Sequence, residues 1–423
     1  MITQLQIYRA LLLALIVLNS GFIVLTDDKR AGLPFVRELF TIVVIASTAL
    51  LFLAWKRVGQ SNATYWILFM AIALPVISAL FAKLNFGQPI PYGLLEERRF
   101  FLYLVFFPTL FLLYRAELSE QQLAQYVLYA GLACVAVGFL YFFKIFPENA
   151  KIGFQVDDFI GIDELRPDRF RIGEVYVTIC AFMLMYSLRQ SITLARLGLL
   201  LLFTAYLWFV LQTRQTMLVW ALAGVWIFRT QLTTVVKLVI VLGTLIGLAY
   251  LVLPAVFDAQ YERLMELFSE AATEPGVRDH TIVIILEAIQ NNSFMGMGAL
   301  SLQWNGGFEN VYNRHFYLAD VGVFGVYYRY GFLALFVLGI FYVGFLRTAK
   351  RCRMKGPLLQ GLQLTFVAMC LNFILSNALT FSGDVLGMAA AFFVYYAATQ
   401  RAEQPSSQLS RQVSYDRLQY RHN

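Results

Sequence analysis

The stretch Leu194–Arg229 reads LARLGLLLLFTAYLWFVLQTRQTMLVWALAGVWIFR, and the fold turns on how it is divided. A helix crosses ~30 Å of hydrocarbon with about 20 mostly apolar residues. The stretch is too long for one crossing and suits two, with Thr213, Arg214 and Gln215 as the turn between them. Working outward, apolar runs recur from residue 8 to residue 399 with two sizeable interruptions, at 144–172 and 258–318. Spans are expected at 8–25, 33–55, 64–82, 98–114, 124–143, 173–188, 194–212, 216–229, 234–256, 319–346, 358–379 and 384–399. The expected fold is thus all-α, a polytopic bundle of about 12 transmembrane helices over residues 1–400, followed by a polar tail at 401–423 expected to be disordered.

Composition agrees. The 423 residues are 59% hydrophobic and 14% charged, with 38 Phe, which excludes an ordinary soluble domain. The net charge of +7 does not point to nucleic acid, because most basic residues fall in short loops between apolar runs. Lys56 and Arg57, Arg115, Arg189 and Arg196, Arg229, the cluster from Arg347 to Lys355 and the tail from Arg401 all land on one side. The positive-inside rule makes that side cytoplasmic and puts both termini there. Four scattered cysteines (Cys134, Cys180, Cys352, Cys370) indicate neither a disulfide framework nor a thiolate metal site. The first apolar run continues without a small-residue cleavage site, so no cleavable signal peptide is expected.

The loop at 258–318 has a different character. From Asp258 to His315 it holds eight acidic residues against three arginines, which suits the outer face. Two short amphipathic helices are expected in it, one through Leu264, Leu267, Phe268 and Ala271, the other N-capped near Asp279 and running through Ile282, Ile285 and Ile289 to Asn291.

His315 lies just before a long helix expected to start near Ala319. The positive end of a helix dipole keeps an imidazole neutral, and a neutral imidazole is a general base near pH 7. The plainer reading is an interfacial histidine bonded to backbone. Arg278 and Arg214 stand alone in apolar surroundings on the outer side, with Arg171 and Arg169 near the sixth span as further members. Guanidinium groups bind phosphate oxygens bidentately; the plainer reading is snorkelling to lipid headgroups. Asp320 and Arg329 fall at the start of and well within the tenth span, where a charge at membrane depth is functional by default unless Tyr327, Tyr328 and Tyr330 merely solvate it. Arg314 is a further candidate beside His315. Asp157, Asp158, Asp163 and Asp168 are too irregularly spaced for a cation site, so no metal is expected. The run Met295 to Gly298 is expected to be a tight turn, since it lacks the lysine of a nucleotide loop.

Taken together, Gly276, Val277 and Arg278, then Asn291-x-x-x-x-Gly296-x-Gly298, then His315 to Leu318 leading into a span with Gly322, Gly325 and Gly331, resemble the O-antigen ligase and O-antigen polymerase superfamily. Thr213-Arg214-Gln215 is similar to that family's Ser/Thr-Arg turn after its seventh span. The resemblance implies a GT-C type glycosyltransferase of the bacterial inner membrane, acting at the periplasmic face on a glycan carried by undecaprenyl diphosphate. It makes His315 the base for the acceptor hydroxyl and Arg214 and Arg278 the diphosphate binders, without metal or cofactor. The acceptor is a lipid-linked repeat unit for a polymerase, or lipid A-core for a ligase, and a chain-length regulator is an implied partner of the former. Phe316 stands where ligases of the family often carry Asn, while Leu318 to Gly322, Tyr330-Gly331 and the 144–172 loop look more like polymerases, the reading preferred here. A lipid-linked glycan transporter is the competing class; it calls for internal repeats, and none is evident.

Overall fold

The computed structural model describes residues 3–22, 31, 36–55, 62–147, 169–252, 254–255, 257–258, 261–262, 265, 277–313, 316, 318–354, 356–373 and 383–400. In chain order the helices are α1 (Gln4–Asn19), α2 (Val36–Ala54), α3 (Ala63–Phe86), α4 (Ile90–Glu96), α5 (Arg98–Ala116), α6 (Glu120–Phe142), α7 (Glu174–Gln190), α8 (Leu194–Leu211), α9 (Arg214–Phe228) and α10 (Leu232–Val252). They continue as α11 (Val277–Asn291), α12 (Gly307–Val311), α13 (Val323–Tyr330), α14 (Ala334–Arg351), α15 (Pro357–Asn372) and α16 (383–400). Among the described residues there is no strand, only one isolated bridge between Met295 and Gly331.

Five of these helices (α2, α3, α5, α6 and α8) are long and apolar enough to cross a membrane, and α1 and α15 are shorter apolar helices. Helices of this length and composition mark a membrane protein. The division of Leu194–Arg229 falls where the sequence puts it: α8 ends at Leu211, Gln212 turns with φ +48°, and Arg214 opens α9.

The centre of the bundle is α7. It is buried along most of its length, from Tyr176 to Met185 and again at Leu188, and it packs against α6, α8, α9 and most extensively α15. Small residues on its surface, Cys180 and Ala181 among them, allow this close approach. Pro75 removes one donor from the ladder of α3, and a π turn at Phe69–Ala73 absorbs the irregularity. All four cysteines are free.

Three expectations need correction. The tenth span is not one helix: after a 3-10 turn at Leu318–Asp320, α13 runs only from Val323 to Tyr330, and Gly331 (φ +57°) breaks the chain before α14 begins at Ala334. The start of α13 is Val323, not Ala319, which weakens the dipole argument at His315 because a helix terminus acts within its own first turn. Helix α11 starts at Val277, so Asp279 lies in its first turn rather than capping it. The amphipathic helix expected through Leu264 and Phe268, the acidic residues Asp157 to Asp168 and the tail from 401 lie outside the described residues.

Candidate functional site

The segment 277–331 builds a small core of its own. Helix α11 buries Ile285 and Ile289, and these meet Phe316, Leu318, Val321 and Tyr328. Ile282 packs at its edge, as the helical spacing predicts. After Asn291 the chain reverses through Ser293 (φ +52°) and Phe294 (φ +63°), with the Phe294 N–H donating to Ile289 O at 2.9 Å.

The next residues are extended, and they correct the expected tight turn at Met295 to Gly298: the turn precedes that run. One edge of the extended chain pairs with the end of α13. Met297 N–H donates to Tyr328 O (2.8 Å), Gly298 N–H to Arg329 O (3.2 Å) and Phe332 N–H to Phe294 O (3.0 Å). The other side is held by side chains from α3 and the chain following it. Asn85 Nδ2 donates to Gly296 O (2.8 Å), Gln88 Nε2 donates to Ala299 O (3.0 Å), and Gln88 Oε1 accepts the Ser301 N–H (2.8 Å). Buried backbone must find partners, and here two polar side chains supply three hydrogen bonds where a neighbouring strand would in a sheet.

This tight passage explains two glycines. A Cβ on Gly298 would lie 2.3 Å from Ser78 O, and one on Gly331 would lie 2.4 Å from Gly296 N, each at a positive φ. Only glycine suits such positions.

Next to this extended segment is a buried ion pair. Arg329 Nη1 lies 3.4 Å from Glu97 Oε2, with side-chain exposures of 10% and 0%. Glu97 Oε1 accepts from Ser78 Oγ at 2.7 Å, and the same Ser78 Oγ accepts the Ala299 N–H at 3.0 Å. The arginine expected either to act in the site or to be solvated by its tyrosine neighbours is thus paired with a carboxylate. Beside this pair, burial raises the Glu96 pKa and Glu97 raises it further, while Arg329, Arg98 and Arg99 oppose the shift.

Above the strand is an aromatic cluster. Tyr312 stacks on Phe316 with ring centroids 4.7 Å apart, and its hydroxyl lies 2.9 Å from that of Tyr328. Burial raises the Tyr312 pKa, opposed by that hydrogen bond. The adjacent Asn313 places Nδ2 3.3 Å from Nε2 of the exposed His280. The first turn of α11 and the chain leading to His315 are therefore in contact.

The Arg214 turn is assembled separately. Phe170 N–H donates to Val210 O at 3.0 Å, while Arg169 Nε donates to Leu211 O (3.1 Å) and its Nη2 to Thr213 Oγ1 (3.4 Å). Thr216 Oγ1 donates to Glu174 Oε1 at 2.5 Å. The turn is thus tied to residues 169–174. Of the expected site residues, half-buried Arg214 opens α9, and exposed Arg171 follows the strand-like contact of Phe170. Asp320 is exposed, and Arg278 lies on α11. His315 and Arg314 lie outside the described residues.

Sequence reasoning missed Ser78, Asn85, Gln88 and Glu97, and it set His280 aside. Two adjacent glutamates at the mouth of an apolar run were the available signal for Glu97. Among the described residues no three His, Cys, Asp or Glu side chains cluster as a metal site would require. No family model matches the chain, and no curated protein or solved structure matches it either.

Proposed function

We propose that the chain is a twelve-span glycosyltransferase of the bacterial inner membrane, with both termini cytoplasmic. In this reading it polymerises oligosaccharide repeat units carried on undecaprenyl diphosphate at the periplasmic face. The observation that carries the reading is the seating of Asn291-x-x-x-x-Gly296-x-Gly298. The glycines that make this motif resemble the O-antigen polymerase and ligase superfamily have a physical task here, as the backbone passage that runs between α3 on one side and the end of α13 on the other. By alternation of the twelve spans, the connection 83–97 that helps grip this strand faces the same side as 258–318.

In this reading His315 takes the proton of the acceptor hydroxyl. The freed oxygen attacks the anomeric carbon of the donor glycan, the carbon–phosphate oxygen bond breaks, and undecaprenyl diphosphate departs. Arg278 and Arg214, with Arg171 on the segment 169–174 that is tied to the Arg214 turn, stabilise the negative charge that grows on the diphosphate. The contact of Asn313 with His280 adds a second imidazole next to the arm that bears His315.

The test is transfer by the purified protein in lipid vesicles given only the lipid-linked repeat unit. A ladder of polymer should form, and His315→Ala should slow it by about 10²- to 10⁴-fold. Undiminished polymer from that variant would remove His315 from the chemistry. Failure of the wild-type protein to transfer, together with movement of the substrate across the bilayer, would favour a transporter. The alternative is a ligase, with lipid A-core as acceptor, although Phe316 stands where ligases of the family often carry Asn. Deleting the gene separates the two: a ligase mutant accumulates long polymer on the lipid carrier, and a polymerase mutant leaves single repeat units on lipid A-core.

A further inference from the structure

The contacts around the buried ion pair close on themselves. Ala299 N–H donates to Ser78 Oγ, Ser78 donates to Glu97 Oε1, Glu97 Oε2 faces the Arg329 guanidinium, and the Arg329 carbonyl accepts the N–H of Gly298, the residue before Ala299. Side chain and backbone of one arginine thus hold two sides of the same strand. Helix α3, the start of α5 and the end of α13 all contribute, so no single element keeps the strand in place.

We propose that Glu97 and Arg329 are positioning residues that lock the extended segment 294–301 in place. The lock sets the relative placement of α11, which begins with Arg278 and His280, and of the chain from Gly307 to Asn313, whose Asn313 meets His280. The proposal rests on the glycosyl-transfer reading for its consequence in catalysis, while the lock itself stands on geometry. Two features make it act as a unit. Ala299 and Glu97 are wholly buried, so loss of Arg329 leaves a buried carboxylate without the guanidinium that faces it. On its α3 side the described partners of the segment's backbone are the side chains of Ser78, Asn85 and Gln88, so release of Ser78 leaves Ala299 held there by Gln88 alone.

The experiment reads seating and catalysis separately. Cys134, Cys180, Cys352 and Cys370 are replaced by alanine and Ala299→Cys is introduced, so a maleimide that does not cross membranes labels only an unseated strand. In intact vesicles Glu97→Gln and Arg329→Gln should each raise the labelling rate about tenfold or more, through more frequent local opening. The double variant should label more slowly than either single one, because it leaves no lone buried charge, and Arg329→Lys should restore part of the protection. Ser78→Ala serves as a milder variant should either charge substitution prevent folding, and it should raise labelling in the same direction. In the transfer assay without the added cysteine, Glu97→Gln should lower kcat by about 10²-fold, as for a misplaced catalytic group, with KM for the lipid-linked donor little changed. Unchanged labelling in Glu97→Gln and in Ser78→Ala overturns the lock. Faster labelling with unchanged kcat overturns its role in positioning. Faster labelling in a protein whose wild type transfers no glycan overturns the glycosyl-transfer reading and leaves the lock standing.

Discussion

The segment 277–331 and the turn around Arg214 are expected to serve one site, yet they are held by opposite means. The first is seated through its backbone: main-chain groups of residues 296–301 are gripped by the end of α13 and by Asn85, Gln88 and Ser78. The second is fastened mostly through side chains, the guanidinium of Arg169 on Leu211 O and Thr213 and the Thr216 hydroxyl on Glu174, with one backbone bond from Phe170 to Val210. A backbone seat tolerates changes in exposed side chains but no added atom at its tightest points. A side-chain fastening tolerates bulk but not loss of the groups that make it.

The comparison can be broken most forcefully at Gly331. Gly331→Ala adds a methyl 2.4 Å from Gly296 N at φ +57°, and overlap plus backbone strain should cost on the order of 4 kcal/mol. Gly198→Ala, with nothing within 4 Å of the new Cβ in mid-helix α8, should instead be neutral or stabilise by roughly 0.5 to 1 kcal/mol. Thermal unfolding in detergent compares them, and equal effects would mean that the backbone seat is not tight. A middle effect is expected from Arg169→Met, which keeps the stem and loses the hydrogen bonds. It should cost about 1 to 2 kcal/mol and speed proteolysis at the Arg214 turn while leaving protection of Ala299 unchanged. Loss of protection at both places would join the two regions into one cooperative unit.

The smallest effect concerns Glu96. Burial raises its pKa above the ordinary 4.5, so the folded state holds this proton more firmly than the unfolded chain. The resulting stabilisation is complete below the ordinary carboxylate range and is lost as pH rises through the raised value. Glu96→Gln should therefore match the parent protein near pH 4 and exceed it slightly near pH 8. Parallel melting curves across that range would show that the carboxyl is not perturbed.

What the sequence made legible follows from the range of the interactions. Apolar runs report locally, so the division at Thr213 to Gln215 and the apolar face of Ile282, Ile285 and Ile289 appear in the structure at their expected places. The broken tenth span did not appear in the reading, because 319–346 is nearly continuous in hydropathy and the break is imposed by Met295, a bridge partner outside the run. Arg329 stood out as a charge at depth, but its carboxylate lies on the far side of the chain sequence at Glu97, and nothing local links the two. Gly296 and Gly298 were visible as glycines and were mistaken for a turn, because a turn and a crowded backbone crossing both call for the same residue.

The polar grips on the strand join residues 211 to 221 positions apart in the chain. At roughly 5 to 20 residues per second of synthesis, Glu97 is made about 10 to 50 s before Arg329. Until then the carboxylate lacks the guanidinium that faces it in the finished fold. A chain that stops short of Arg329 never acquires that partner, and a buried charge without its partner destabilises the fold that buries it.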